Sequence, residues 1–523
     1  MSASELAARV REVLDVDAEA FRAAAREEAE ELKAEVTAGT FDNSQALIGL
    51  ELELYAVAEP TDGLRRVPRQ LLGLIGFEKE LGLHNAEMQT SPEPLTSYGL
   101  DAQLKELQAH LAPAIEKTST EDIRLVADGM WTVPPTGETT TEYLTDSVEH
   151  DGIRLATNMS DAIRYHAMAN TDYPSRMTID APHVSLEAET IFPESLITSI
   201  QPHYQVPHAP DIPEYFRYAL RVAGPLLALG VNAPFFPPDL YDDAPDADIV
   251  ADAHMEHRIG VFESVLNPPE DADGAPKVCF PPDFDSVEAV IDDIFNDALI
   301  VPQDVTAADR FDDAFMHLRH KHGSYWRWVR PVFEAPSRSS ANARIEFRPL
   351  PAQPTLRDSV AFEAVFAGYG EPPPPGAPRP PARLGDRRSE LLQRRPRRPA
   401  GGPGVDHQRR HRDDGDRPDL CRVSGVRPRR PRTPRAVDGG RPPVHPAAAR
   451  TPRPPHDARP LETRDRPRAR RAQRPAPRGD LGDAGGVHRQ PAQFPHRGLL
   501  HRLAVMLAGD KHNPFAGGPS KGG

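Results

Sequence analysis

The stretch IGLELELYAV, residues 48–57, places large apolar side chains at every second position. That period of two is the signature of a β-strand with one face on a core. Leu50, Leu52 and Leu54 fall on one face, Glu51 and Glu53 on the other, and Gly49 sits just before them. A strand built for a core thus carries two neighbouring carboxylates on its far side, which raises the question of what they face.

Reading outward, residues 2–39 are rich in Ala, Glu and Leu, with serine available as a cap and Gly39 as a stop, so the opening is helical. HNAEMQTSPEPL (84–95) reads as a short strand running into a turn at Pro92, and MTIDAPHVSLEAETI (177–191) and TSIQPHYQV (198–206) are strand-like. APDIPEYFRYALRVAGPLLALGVNAPFF (209–236) reads as a buried helix with Asp211 as N-cap, Pro213 in its first turn and Gly230 as stop. A further helix is expected over 306–323, with Thr306 as cap and Asp309 three residues on. YWRWVRPVFEA (325–335) and ARIEFRPLPAQPT (343–355) read as strands, and 355–370 as a helix capped by Thr355. Strands and helices do not alternate as βαβ units, so the expected class is α+β with an antiparallel sheet.

Charge divides the chain. Residues 1–370 hold 63 Asp and Glu against 28 Lys and Arg, whereas 371–523 hold 15 against 34, giving −16 for the whole. The acidic part suits a protein kept hydrated by surface carboxylates, as in a salt-loving cytoplasm. Two cysteines, Cys279 and Cys421, argue against a disulfide framework or a cysteine zinc site. No apolar run reaches membrane-spanning length, and the N-terminus lacks a basic-then-apolar leader, so a cytoplasmic location is expected. Three parts follow: a helical segment 1–46, a domain 47–370, and a Pro/Arg-rich tail 371–523 with 28 of the 58 prolines. The tail has two readings. It is a disordered basic arm, the one part of the chain suited to nucleic acid, or a GC-rich gene translated out of frame.

Polar residues two apart on one strand share a face. Glu51 with Glu53, His203 with Gln205, and Glu346 with Arg348 are such pairs, while Glu87 and Glu93 bracket the second strand. Each alone also reads as a solvated sheet face, a structural histidine or a cross-strand ion pair. His254, His257, His320 and His322 read as surface or helix histidines. Four pairs on four strands, however, argue for one polar floor. Its carboxylates would hold a hard cation such as Mg²⁺, and its arginine would grip a phosphate. No Walker or dinucleotide motif competes with this reading.

These residues resemble the glutamate–cysteine ligase family of carboxylate–amine ligases. The resemblance rests on Gly49-x-Glu51-x-Glu53, the His203 strand leading through a long helix to Asn232-Ala233-Pro234-Phe235, and Glu346-x-Arg348 followed by Gln353-Pro354-Thr355. It covers about residues 47–370 and implies a glutamine-synthetase-like catalytic domain, a curved antiparallel sheet with flanking helices. It further implies ATP and Mg²⁺, with glutamate and cysteine, or another acid and amine, joined through an acyl phosphate. By motif, Glu51, Glu53, Glu93, His203 and Glu346 would bind metal. Glu51, Glu53, Glu87, Gln205 and Arg348 would bind the nucleotide, and Arg348 and Arg258 would stabilise the transferring phosphoryl group. Gln205 stands where the family has a second histidine, and the family's further helices have no counterpart in the tail. A ligase of other substrates or an inactive, truncated homologue is the alternative.

Overall fold

The computed structural model of the protein describes residues 1–370, apart from residue 60 and residues 270–274. The tail and its Cys421 lie outside the described residues. The helices are α1 (Ala3–Leu14), α2 (Ala18–Thr37), α3 (Arg69–Ile75), α4 (Ser97–Ser119), α5 (Thr140–Thr145) and α6 (Ile163–Met168), then α7 (Ile212–Gly230), α8 (Asp246–Asp252), α9 (Arg258–Leu266), α10 (Val287–Asn296), α11 (Met316–His322) and α12 (Leu356–Gly370). The strands are β1 (Leu47–Ala58), β2 (Asn85–Gln89), β3 (Glu93–Pro94), β4 (Ile123–Val126), β5 (Ser147–His150) and β6 (Ile153–Ala156), then β7 (Thr178–Ala181), β8 (Val184–Glu187), β9 (Ile200–Gln205), β10 (Val329–Glu334) and β11 (Asn342–Phe347). The α+β class with an antiparallel sheet holds.

The main sheet runs β10–β11–β9–β1–β2, with β3 and β4 also pairing to β1, every pair antiparallel. β1 is its spine. Ile48, Leu50, Leu52 and Leu54 are all but inaccessible and join one core with Leu107 and Leu111 of α4, Phe216 and Leu220 of α7 and Val360 and Phe366 of α12. Each such leucine contributes roughly 2 kcal/mol by leaving water. A second core gathers α1, α5, α9 and the hairpins β5–β6 and β7–β8, so β7 and β8 form a sheet of their own.

The opening segment is two helices. Asp17 accepts from the amides of Glu19 and Ala20 and so starts a new helix, while Ser2 and Glu5 form a capping box on the first. At the other expected boundary Thr306 is not a cap. Residues 311–315 make a 3₁₀ turn and α11 begins only at Met316, because Asp313 takes the amides of Ala308 and Arg310. Asp211 precedes α7 without a side-chain cap bond. Thr355 does cap α12, accepting from the Asp358 amide at 3.0 Å. Among the described residues, no helix is long and apolar enough to cross a membrane.

Candidate functional site

Directly opposed residues of an antiparallel pair share a face, so the register builds the floor. Glu53 opposes Glu87, Glu51 opposes Gln89 and Gln201, Gly49 opposes His203, and Leu47 opposes Gln205. His203 opposes Glu346, which opposes Arg330 in turn. Glu51, Glu53, Glu87, His203, Gln205 and Glu346 thus come together on the face away from the α4–α7–α12 core. Glu93 does not join them. It opposes Ile48 on the core side and its Cβ lies beside Gly99 of α4, because the turn at Thr90–Pro92 resets the strand's parity.

Two cavities of about 230 and 240 Å³ open on this floor and share Glu51 and Gln89, making two lobes of one cleft. In the acidic lobe Glu51, Glu53, Glu80, Glu87 and Glu194 face Arg330 and Arg348, with Tyr165, Phe262 and Trp326 as part of the wall. Glu53 is held by the Ser199 amide at 2.6 Å, the Ser199 hydroxyl at 2.9 Å and the Gln201 amide at 2.8 Å. Burial and then the Glu80 charge still push its carboxyl up to about 7, against the pull of Arg258, Ser199 and Arg348. Burial, followed by Glu53 and Glu80, lifts Glu194 to about 8. Glu87 is raised well above the usual range by burial and then by Glu80. These carboxyls are crowded together with too little positive charge.

Glu346 is the opposite case. Burial alone would raise its pKa, yet Arg330 and Arg348 hold it well below the usual range. Arg330 Nε donates to one oxygen at 2.8 Å and Arg348 to the other at 2.6 Å, so Glu346 positions both arginines. Arg258 lines neither lobe. It is buried, and donates to the carbonyls of Arg348 at 2.6 Å and Pro349 at 2.9 Å, bracing the chain just past β11. The Asn232–Phe235 turn sets that brace. Asn232 Nδ2 donates to Ala352 O at 2.7 Å, and the Ala233 carbonyl accepts from the His257 amide just ahead of α9. His257 is buried rather than at the surface, whereas His320 and His322 lie on α11, as expected of helix histidines.

The second lobe is lined by Gly49, His203, Gln205, Asn342 and Arg344 among others. Gly49 leaves the space above His203 open; a Cβ there would meet the His203 Cβ at 3.8 Å. Gln205 Nε2 donates to the Gln45 carbonyl at 3.2 Å. Arg344 is satisfied by Glu334 at 2.8 Å, Asn342 at 3.0 Å and His203 Nδ1 at 3.1 Å. A ring whose Nδ1 accepts from Arg344 carries its proton on Nε2, a tautomer assigned from the bonding network. That Nε2 is buried, lacks a hydrogen-bond partner, and lies 3.1 Å from a Glu51 oxygen, off the line a hydrogen bond needs.

An orphaned imidazole nitrogen beside a carboxylate, next to four further crowded carboxyls, fits a divalent cation in its donor types. Among the described residues, no three of these side chains converge on one point as they stand. Binding through Nε2 requires the ring proton on Nδ1 and hence the loss of the Arg344 bond.

Of the cleft residues, Arg344 has a signal in the sequence, since Arg344-x-Glu346-x-Arg348 extends the alternation already noted. Arg330 follows from its register with Glu346. Glu80 and Glu194, from a loop and a 3₁₀ turn, carry none.

The open face of the antiparallel sheet thus carries crowded carboxylates beside two arginines clamped by Glu346. The model of glutamate-cysteine ligase family 2 (GCS2) matches residues 47–373, and the chain belongs to that family. No curated protein sequence matches it significantly. Among solved structures, a bifunctional glutathione synthetase from Pasteurella multocida is similar over 65% of this chain at 11% identity, with a TM-score of 0.36. The chain spans 41% of that protein's length, and a likeness at this level does not bear on function.

Proposed function

We propose that the protein is an ATP- and Mg²⁺-dependent ligase that joins the γ-carboxylate of glutamate to the amine of cysteine through an acyl phosphate. The observation that carries this reading is the acidic lobe, where five carboxyls face two arginines already engaged by Glu346. Carboxyls crowded in this way are stabilised by a divalent cation. Glu51, Glu53, Glu87 and His203 would hold the metal, which when bound supplies charge neutralisation for the nucleotide phosphates.

Arg348 and Arg330 face the same lobe with their guanidiniums fixed before any ligand arrives. Charge that develops on a transferring phosphoryl group there meets donors that need no reorganisation. Glu346 keeps those donors in place, and Arg258 keeps Arg348's backbone in place. Gln205 and Gly49 add no charge of their own to the second lobe beside Glu51. The domain 47–370 carries all of these groups.

The test is ADP release by the full chain with Mg²⁺, ATP and glutamate, against a panel of amines. Release that depends on cysteine is expected. Release with another acid or amine keeps the ligase and removes the named product, and no release with any pair removes the activity.

A further inference from the structure

We propose that the cavity lined by Arg164, Gln303, Thr306 and His320 is a second binding site, for a small oxyanion held by the Arg164 guanidinium. This cavity, about 440 Å³, shares no lining residue with either lobe of the cleft. Its case does not depend on the ligase reading.

Arg164, near the start of α6, is largely withdrawn from water, and burial lowers its pKa. A guanidinium in that position is stable when an anion faces it. Among the described residues none does: Arg164 makes no ion pair, and its hydrogen bond goes from Nη2 to His320 Nδ1 at 3.2 Å. His320 cannot serve as the counter-charge. Its Nε2 lies 3.2 Å from the Val301 carbonyl, so the ring is a neutral acceptor toward Arg164, and burial followed by the Arg164 charge keeps its pKa down at about 4. The imidazole fixes the guanidinium without neutralising it.

The other charges of the cavity do not supply the anion. Arg319 is itself taken up by Asp312 and by Asp313, the latter at 3.0 Å. Asp304 lines the same space but makes no ion pair with Arg164. Arg330, which lines the acidic lobe together with Gly323, adds like charge. Gly323 makes the arrangement possible, because a Cβ there would lie 2.2 Å from Arg164 Nη1. A guanidinium that lacks a carboxylate partner and lines a cavity with the amide of Gln303 and the hydroxyl of Thr306 suits a planar carboxylate or a phosphate gripped by its fork.

The probes are inorganic phosphate and acetate, each titrated calorimetrically into the full chain. One of them is expected to bind, about ten-fold more weakly in Arg164→Gln and with an intermediate loss in Arg164→Lys, which keeps the charge without the fork. The tighter of the two separates a phosphorylated ligand from a carboxylate one. No binding of either anion overturns the proposal. So does equal affinity in Arg164→Gln, or binding lost in Arg348→Ala yet kept in Arg164→Gln, which would put the anion in the cleft. Should Arg164→Gln fail to fold, Gly323→Ala pushes the guanidinium aside while keeping its charge, and unchanged anion affinity there is equally fatal.

Discussion

The two lobes of the cleft share Glu51 and one sheet, yet they handle charge in opposite ways. In the second lobe Arg344 is satisfied by Glu334, Asn342 and His203. In the acidic lobe burial, followed by the neighbouring carboxyls, leaves Glu53, Glu87 and Glu194 with raised proton affinities, while the arginines facing them already serve Glu346. Under the proposed function the cation belongs beside Glu51, on the acidic side, at the boundary where His203 Nε2 lacks a hydrogen-bond partner. Charge that pairs internally organises the site, and charge that does not pair recruits the ligand.

The largest expected effect removes function from the acidic side. Glu51→Gln and Arg348→Ala should each lower kcat for ADP release by about 10²–10³-fold. Normal turnover in both would erase the distinction between the lobes. Next is the clamp itself. Glu346→Ala removes the carboxylate to which the half-buried Arg330 and Arg348 both donate and should destabilise the fold by about 1–3 kcal/mol in urea melts. A change near zero would mean the arginines find other partners.

A pH series sharpens the comparison. Glu53 and Glu194 bind their protons more tightly folded than unfolded. The stability they contribute is therefore present in full below the ordinary glutamate value of 4.5 and is lost as pH rises through about 7 to 8. Tm in the absence of metal should fall between about pH 5 and 8 and level off above, less steeply in Glu194→Gln, and saturating Mg²⁺ should flatten the curve. A Tm that rises over this range would contradict the reading of the acidic lobe. The smallest effect concerns the satisfied lobe: Arg344→Gln frees His203 Nδ1 to carry the ring proton and should tighten Mn²⁺ binding several-fold, as befits one hydrogen bond of about 1 kcal/mol. Weaker binding in that variant would make Arg344 part of the cation site.

Much of this was legible in the residues. The alternation in 48–57 gives β1, its core face and its wet face, and the i, i+2 pairs predict a floor whose strands do lie in one sheet. Parity within a strand is local, which is why it succeeds for Glu51, His203 and Glu346. It fails for Glu93, where a turn intervenes. Glu80 and Glu194 reach the lobe through tertiary packing, which no period encodes. Arg258 carries the right charge in the right neighbourhood, but only its bonds to two carbonyls show that it braces the strand instead of lining the cleft. The proton on His203 depends on Arg344, whose place in the Arg344-x-Glu346-x-Arg348 alternation marks its face but not its partner.

The most direct test is the affinity of Mn²⁺ for the full chain, read by electron paramagnetic resonance, in the natural sequence and in Glu51→Gln. A saturable site weakened about 10–100-fold by the substitution is the expected result. Equal affinity in the two proteins, or no saturable site in either, would contradict a cation-binding floor.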